Sequence, residues 1–324
     1  MAADPVKQIV SNLLEDGTAG TLFQTDPKRE CLVHPEKLMM SVDYLYWFGY
    51  IAYQLAKNVT LDDIISAIHK FQDWFGIKGK TEDGKLGQAT LRAMQYPRCG
   101  CPDIVDHKNG RHKRYLKLMK FRDTQKARWM KEGLQYYVRG YVHDHDLGKT
   151  AQDAVVDKAW QAWMKVANLC ITRTGSEKHA DLIIDVGQGT QDDFDGPAGT
   201  LAWSYMPDGS DKQLVMRFDI EEKWIDDPQD RGVLMFNVAT HEFGHMLGLE
   251  HSKCQQALMA PFYNESVGVP QQYDDINRIQ ELYGAPPPSE QVRQVLSAPG
   301  YVIHADNITI EGYRLVPVHP SKQK

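Results

Sequence analysis

The 324-residue sequence lacks a long apolar run and is poor in cysteine. No stretch approaches the roughly 18 uninterrupted apolar residues of a membrane-spanning helix, so no such helix is expected. The first ten residues lack a basic segment followed by an apolar one, and no secretory leader is apparent. Acidic residues outnumber basic ones by 43 to 37, which argues against a dedicated nucleic-acid-binding protein. Because there are five cysteines, at least one lies outside any internal disulfide.

The composition is that of a globular protein, with 42% hydrophobic and 25% charged residues, and the length suggests two or three domains. Residues 1–38 show little pattern beyond a short amphipathic stretch, which predicts a surface helix. Residues 39–98 are helical in pattern. Within them, helices are predicted at 44–55, 61–75 and from about 85, so residues 39–98 are interpreted as a three-helix unit.

Residues 129–284 alternate strand and helix patterns, which indicates an α/β or α+β domain. The predicted strands lie at 135–139, 180–186, 200–205 and 213–219, and the predicted helices at 151–166, 233–247 and 273–283. The last 40 residues begin with three prolines and contain one strand-like stretch at 307–318. They are too few for another domain of the usual size.

The strongest chemical signal is the segment 241–251, HEFGHMLGLEH. Residues four apart share one face of a helix, so His241 and His245 can present their imidazoles to one ion. Gly248 permits a sharp exit from the helix that brings His251 back as a third ligand. Three neutral imidazoles leave one position of a tetrahedral zinc open, which is the arrangement of a catalytic site. A chance HExxH match is the alternative, and Gly248 and His251 at these offsets argue against it.

Glu242 stands beside the first histidine and is predicted to be the general base. Its position lets it reach a zinc-bound water without being a ligand itself. Zinc lowers the pKa of such a water to roughly 7 and polarises a carbonyl. Glu242 would then take the proton of the water and pass it to the leaving amine. The predicted reaction is therefore the hydrolysis of a peptide bond.

The segment 97–103, PRCGCPD, contains a candidate inhibitor of this site. A thiolate is a better zinc ligand than water, and the flanking Gly100 and Pro102 would hold the backbone extended and close to a cleft. Cys99 can therefore occupy the open fourth position. The site would then be closed, with three histidines and one cysteine around the zinc.

With these two motifs the sequence resembles the matrix metalloproteinases (matrixins) with their propeptide. PRCGCPD is similar to the cysteine switch of that family and HEFGHMLGLEHS to its zinc helix; further similar stretches are FGY at 48–50, FDGPAGTLA at 194–202, RFDIEEKW at 217–224 and DDINRIQELYG at 274–284. The resemblance implies an α+β fold, with a five-stranded twisted sheet and three helices in a metzincin-type catalytic domain. It also implies a secreted, latent zinc endopeptidase that acts on protein or peptide substrates. The chain would divide into an N-terminal extension, an inhibitory prodomain, a catalytic domain and a C-terminal tail, at 1–38, 39–114, 115–285 and 286–324.

The resemblance also implies roles for residues around the zinc. Arg98 and Asp103 would pair to shape the switch, and Met259 would form the methionine turn beneath the metal. An extended substrate would lie between an edge strand and an opposite rim, held by main-chain hydrogen bonds; these elements contain Leu201, Ala202, Pro261 and Tyr263. One calcium ion would be bound by backbone carbonyls and by carboxylates, with simple surface acidity as the alternative; the implied calcium residues are Asp195, Gly196, Asp219 and Glu222.

Two departures from the family pattern are informative. The family binds a second, structural zinc through three histidines and an aspartate, whereas the matching positions here are Gln188, Thr190, Trp203 and Arg217. None of these is a good zinc ligand and one is cationic, so the structural zinc is predicted to be absent. Asn237 stands four residues before His241, where many relatives have an apolar side chain in the specificity pocket. A deep, purely aliphatic pocket is therefore not expected, although Asn237 is expected to contact substrate.

The basic segment 107–128 has nine Lys or Arg residues and one acid. Such a run is usually a solvated linker. Residues 111–114, RHKR, also fit the Arg-x-Lys-Arg pattern of furin-type convertases, and cleavage after Arg114 would make Tyr115 the new N-terminus. That cut would remove the covalent tether of Cys99 and let water return to the zinc. A furin-like protease and protein inhibitors of matrixins are therefore expected partners of a monomeric protein.

Two questions stay open in the sequence. Cys170 falls in a strand-like stretch and is predicted to be buried, whereas Cys101 and Cys254 flank the two zinc-binding elements, where a bridge is one option. The three-helix unit also resembles a peptidoglycan-binding module. As an alternative function, the chain would chiefly bind a glycan or cell wall, with proteolysis secondary. No hemopexin-like domain is expected after residue 284.

Overall fold

The computed structural model describes residues 5–23, 33–51, 59–105, 128–131, 133–143, 145–210 and 212–287, together with the backbone of 309–310 and 313–314. Within these ranges the helices are α1 (Pro5–Glu15), α2 (Ala19–Phe23), α3 (Pro35–Trp47), α4 (Leu61–Phe75), α5 (Gln88–Ala93), α6 (Lys149–Met164), α7 (Met235–Met246) and α8 (Asn277–Tyr283). The strands are β1 (Arg98–Cys99), β2 (Leu134–Val138), β3 (Ile171–Arg173), β4 (Leu182–Gly187), β5 (Thr200–Ser204), β6 (Leu214–Asp219), β7 (Trp224–Ile225), β8 (Val233–Leu234), β9 (Thr309–Ile310) and β10 (Tyr313–Arg314).

Helices α1 to α5 pack around one apolar core, and we call their described residues, 5–23, 33–51 and 59–94, the helical unit. The helix predicted near the N-terminus is present, but its apolar face is buried against α3 in the core of this unit. The interpretation of that stretch as a surface helix, separate from the helices after residue 39, is therefore wrong. Its apolar residues at intervals of three and four already form a face wide enough to be buried.

The central helix of this unit, α4, begins and ends where the sequence predicts. Thr60 accepts a hydrogen bond from the Asp63 amide at 3.3 Å, and the Asp63 carboxylate accepts one from the Thr60 amide at 2.9 Å, so the capping box is complete. Gly76 closes the helix in the left-handed conformation, with φ 65°. The helix predicted at 44–55 is misplaced, because α3 begins at Pro35 and ends at Trp47. Proline suits the first turn of a helix, where its missing N–H has no partner to lose.

The larger domain is built on a mixed sheet of order β1-β5-β6-β4-β2-β3. Strands β2, β3, β4 and β6 run parallel, and β5 is antiparallel to β6. These five strands and helices α6, α7 and α8 confirm the predicted α+β fold. The sixth strand, β1, comes from the segment 97–103 and pairs in parallel with β5 at the edge of the sheet.

Aromatic packing against α6 fixes the position of helix α7 on this sheet. Trp160 of α6 stacks on Phe243 of α7 with ring centroids 3.7 Å apart, and Trp163 donates a hydrogen bond from Nε1 to the Thr240 carbonyl at 2.8 Å. The residues of α7 are buried along almost its whole length. No helix among the described residues has the length and apolar character needed to cross a membrane.

Candidate metal centre and active-site cleft

Helix α7 places two histidines on one face, one turn apart. His241 and His245 lie in its last two turns, and the chain leaves the helix at Gly248. The φ of Gly248 is 102°, a value that glycine adopts readily and other residues rarely do. The Leu249 amide donates to the Gly244 carbonyl at 2.9 Å, which closes the helix end. The chain then turns back and brings His251 beside the other two imidazoles.

Each of the three imidazoles is oriented by a hydrogen bond from its Nδ1 atom. Because a carbonyl or an ionised carboxylate can only accept, Nδ1 carries a proton in each ring, and Nε2 is the atom that can bind a metal when the ring is neutral. The donor and acceptor pairs are His241 with the Leu258 carbonyl at 2.7 Å, His245 with the Leu249 carbonyl at 2.6 Å, and His251 with Asp103 Oδ1 at 2.8 Å. Burial lowers the pKa of His251 to about 4 and that of His241 well below its usual value, so both rings are neutral at pH 7.

The donor atoms of these histidines and of Cys99 fit a tetrahedral zinc ion. One ligating atom from each of Cys99, His241, His245 and His251 lies within 4.8 Å of the others, and all four residues are buried. The Nε2 atoms of His241 and His251 have no hydrogen-bond partner among the described residues, although they are fully enclosed. Buried polar atoms are seldom left unpaired, and three imidazole nitrogens with one thiol are the ligands that zinc prefers. Burial also raises the pKa of Cys99, so a nearby cation is needed to hold it as a thiolate.

Glu242 is fully buried next to this group, and its two carboxylate oxygens differ. Oε2 accepts a hydrogen bond from Ser204 Oγ at 2.7 Å, whereas Oε1 has no partner among the described residues. Cys101 Sγ lies 4.0 Å from Oε2. Burial, and then the neighbouring Cys101, raise the pKa of Glu242 to about 8. Sequence reasoning missed Ser204, because a serine at the end of a strand carries no chemical signal of its own.

Met259 lies under the metal centre, where the resemblance implied a methionine turn. It is fully buried, and a Cβ atom at Gly244 of α7 would lie 2.4 Å from its sulfur, so only glycine lets the turn approach the helix this closely. Asp275 is also fully buried and accepts hydrogen bonds from the amides of Leu258 and Met259 at 2.8 and 3.1 Å. The turn is therefore fixed from both sides.

The segment 97–103, which we call the latch segment, lies in the cleft between β5 and the rim at 261–263. The Cys99 amide donates to the Pro261 carbonyl at 3.0 Å, and the Gly100 amide donates to the Ala202 carbonyl at 2.8 Å. Cys99 Sγ lies 3.5 Å from His245 Nε2. A Cβ atom at Gly100 would lie 2.5 Å from Thr200 Cγ2, so the segment can approach the strand only with glycine there.

Arg98 and Asp103 form the ion pair that the resemblance implied, and it is buried. Arg98 Nη2 lies 2.6 Å from Asp103 Oδ1, and Nη1 lies 3.1 Å from Oδ2. Tyr50 of the helical unit donates to Asp103 Oδ2 at 2.7 Å, and the Arg98 guanidinium lies 3.5 Å from the centre of the Phe48 ring. Although burial alone would raise it, Arg98 and His251 hold the pKa of Asp103 at about 2. Sequence reasoning missed the contact of these aromatic residues with the latch segment.

The cleft beside the metal centre is lined by the predicted substrate-binding residues Leu201, Asn237, Pro261 and Tyr263, with Cys99 and Glu242 at one end. Ala202 lies beside them on β5 and bonds to the latch segment. Asn237 does not simply line the pocket. Its Nδ2 atom donates to the carbonyls of Asn264 and Glu265 at 3.2 and 2.8 Å, which ties the outer loop to α7.

The implied calcium residues meet in the loop between 195 and 200 and the end of β6. Asp195 and Glu222 accept hydrogen bonds from the amides of Thr200 and Ala198, at 2.7 and 2.6 Å. Asp219 Oδ2 is buried without a partner among the described residues. Burial and mutual repulsion raise the pKa of Asp219 to about 6 and that of Glu222 to about 7. Gly196 lies in the same loop with φ 89°.

The positions that would hold a structural zinc carry an ion-pair cluster. Arg217 forms ion pairs with Asp185 and Asp192, and its guanidinium lies 5.6 Å from the centre of the Trp203 ring. Trp203 Nε1 donates to the Asp192 carbonyl at 2.8 Å. These side chains connect β4, β5, β6 and the turn at Thr190–Asp192.

Three sequence predictions on cysteine and cleavage have different outcomes. Cys101 and Cys254 are both free thiols, one buried and one exposed, so the bridge between them is absent. Cys170 is exposed rather than buried, because it precedes β3, the edge strand of the sheet. Arg114 and Tyr115, the proposed cleavage site, lie outside the described residues.

Comparison with known proteins places this domain. Residues 128–284 match the family model described as Matrixin. Interstitial collagenase of Equus caballus is 34% identical over 238 residues, which are 71% of this chain and 45% of that protein. Stromelysin-1 of Mus musculus is 32% identical over 263 residues, 79% and 50% of the two chains. Matrix metalloproteinase-17 of Homo sapiens is 31% identical over 260 residues, 77% and 41% of the two chains.

The chain therefore belongs to the matrixin family, whose members are metalloendopeptidases. The similarity to these relatives extends beyond residues 128–284, since the matched lengths exceed that domain. The chain spans about half the length of the curated relatives it matches.

The metal centre generates a prediction about zinc content. We expect the purified full chain to bind about one zinc ion, and His251→Ala to lose most of it, because two imidazoles and a thiol complete a zinc site less well. Elemental analysis after dialysis measures this directly. The matched control is His145→Ala, which removes an exposed imidazole. Two zinc ions per chain, or unchanged zinc in the His251 variant, would contradict the assignment.

Proposed function

We propose that the chain is a latent zinc endopeptidase whose own Cys99 closes the metal site. The observation that carries this proposal is the enclosed donor set of three histidines and Cys99 with Glu242 beside it. A site that is closed by a residue of the chain itself cannot admit a water or a substrate carbonyl. The protease and its inhibitor are then parts of one polypeptide.

In the active form, zinc would be held by His241, His245 and His251, and it would supply a polarising positive charge for a carbonyl and a bound water. Glu242 would accept a proton from the attacking water and deliver it to the leaving nitrogen. A protein substrate would take the place of the latch segment, with main-chain hydrogen bonds to the Ala202 and Pro261 carbonyls. Asn237 and Tyr263 would limit the side chain that fits beside the metal.

Activation would require withdrawal of the latch segment. Cleavage after Arg114 by a furin-like protease would sever it from the catalytic domain, and the high effective concentration of the thiol would be lost. The contacts of the helical unit with the latch segment, through Tyr50 and Phe48, favour an inhibitory prodomain over a glycan-binding module. We also propose an extracellular site of action on protein substrates, in keeping with the names of the matched collagenase and stromelysin.

We further propose one calcium ion at Asp195, Asp219 and Glu222. The support is the buried Asp219 oxygen without a partner and the repulsion among three neighbouring carboxylates. Calcium prefers exactly such oxygen ligands, together with the backbone carbonyls of this loop. In the same loop, the Gly199 carbonyl accepts a hydrogen bond from the Arg98 amide at 3.0 Å. An ion bound to this loop would therefore also stabilise the wall of the cleft.

Replacement of the base tests the proposed chemistry. We expect Glu242→Gln to lower kcat for peptide hydrolysis at least about 100-fold, because the amide cannot accept the proton of the water. Zinc content should stay unchanged, as Glu242 is not a ligand. Glu250→Gln, a neighbouring carboxylate outside the cleft, serves as the control. Equal turnover by the Glu242 variant and the wild type would refute the role of the base.

Replacement of the thiol tests latency. Cys99→Ser should give peptide hydrolysis by the uncleaved full chain, because a hydroxyl is a much weaker zinc ligand than a thiolate. The matched control is Cys101→Ser, which changes the buried thiol two residues away and should stay latent. A fluorogenic peptide assay, with gels to show that the chain is intact, makes the measurement. If the Cys99 variant stayed latent, or if the Cys99 and Cys101 variants were activated equally, Cys99 would not be the inhibitory residue.

Addition of calcium tests the proposed calcium site. Addition of calcium should raise the thermal unfolding midpoint by several degrees, because binding to the folded state alone stabilises it. Asp219→Asn should abolish most of this gain, and Asp226→Asn, a nearby exposed carboxylate, should preserve it. A calcium effect of the same size in all three proteins would show that the ion binds elsewhere.

A further inference from the structure

Ser204 is a buried hydroxyl in contact with the predicted base. It is the last residue of β5, it is 1% exposed, and its side chain lies against α7. Its Oγ atom lies 2.7 Å from Glu242 Oε2 and 3.1 Å from the Glu242 main-chain carbonyl. Ser204 belongs neither to the candidate metal ligands nor to the residues that line the cleft.

The hydroxyl has one proton, and the geometry indicates where it goes. A carbonyl inside a helix is already paired with the amide four residues further on. The distance to Oε2 is the shorter of the two, and in the ionised form of Glu242, the form that acts as a base, Oε2 is also the stronger acceptor. Ser204 therefore donates to Oε2, and the other oxygen, Oε1, is left as the acceptor without a partner.

The two groups that approach Oε2 belong to different parts of the molecule. Cys101 Sγ, 4.0 Å away, belongs to the latch segment and would leave together with Cys99. Ser204 belongs to the sheet, where it is in register with Met216 of β6. The serine contact is thus the one that persists when the cleft opens.

We infer that Ser204 is a positioning residue for the proposed peptidase reaction. It holds Oε2 toward the sheet, so that Oε1 keeps one orientation and accepts the proton of the attacking water. Without the hydroxyl, the carboxylate would lose the hydrogen bond that the sheet gives it and would spend less time in the reactive orientation. This inference rests on the proposed function, because it assigns a role within that reaction.

The kinetic test uses the full chain with Cys99→Ser. Adding Ser204→Ala should lower kcat about 10-fold, part of the 10²- to 10⁴-fold that a general base contributes, and should leave KM within about twofold. Ser204→Thr keeps the hydroxyl and should recover most of kcat. Ser41→Ala, which removes a buried hydroxyl from α3 of the helical unit, is the matched control and should change neither constant. Zinc content and the thermal midpoint show whether each variant is folded and loaded.

A second measurement asks whether the contact exists, independently of turnover. In the full chain, Ser204→Ala should lower the urea midpoint, and this loss should shrink by more than half when Glu242 is already alanine. Such non-additivity supports the contact. Additive losses would overturn the inference, even if the Ser204 variant were slow.

The outcomes separate this inference from the proposed function. If the Cys99 variant hydrolyses peptides and Ser204→Ala does so at the same kcat, only the positioning role of Ser204 fails. A fall in kcat that Ser204→Thr does not recover also overturns it, because the effect would then come from packing. If the zinc-loaded Cys99 variant cleaves no peptide, the proposed function fails and the role of Ser204 with it.

Discussion

The buried ion pair between Arg98 and Asp103 joins the helical unit, the latch segment and the metal centre. Removing two charges from water is costly unless every lone pair and proton finds a partner. Here Asp103 Oδ1 accepts from Arg98 and His251, and Oδ2 accepts from Arg98 and Tyr50. The same carboxylate thus orients an imidazole of the candidate metal centre and holds the latch segment. Loss of the latch segment would also remove the acceptor from His251 Nδ1, so under the proposed function Asp103 would couple latency to the geometry of the metal site.

The closed cleft follows from the way the sheet is completed. The latch segment adds β1 to the edge of a five-stranded sheet, and its amides use the carbonyls of Ala202 and Pro261. Under the proposed function, an extended substrate would need the same carbonyls, so inhibition and substrate binding would compete for one edge. The tether raises the effective concentration of the segment at this edge, which adds to these contacts. Gly100 is essential to this close approach, since a side chain there would meet Thr200.

A departure from the family pattern changes how one side of the domain is held. Where relatives would bind a structural zinc, Arg217 pairs with Asp185 and Asp192 and lies against Trp203. These partners are partly exposed, and such pairs are weaker and more sensitive to salt than metal coordination. The loop they hold leads into the proposed calcium loop, where Asp195 begins the wall of the cleft.

The sequence by itself determined the elements whose signals are local. The bounds of α4, the histidine spacing at 241–251 and the switch-like segment 97–103 each depend on a few neighbouring residues and on helix or strand periodicity. The chemical class of the site could be predicted for the same reason. Only the tertiary structure decided that α1 belongs to the helical core, that Tyr50 meets Asp103, and that Ser204 holds one oxygen of Glu242. These contacts join residues far apart in the chain, and their partners are fixed by packing distances that no periodicity encodes.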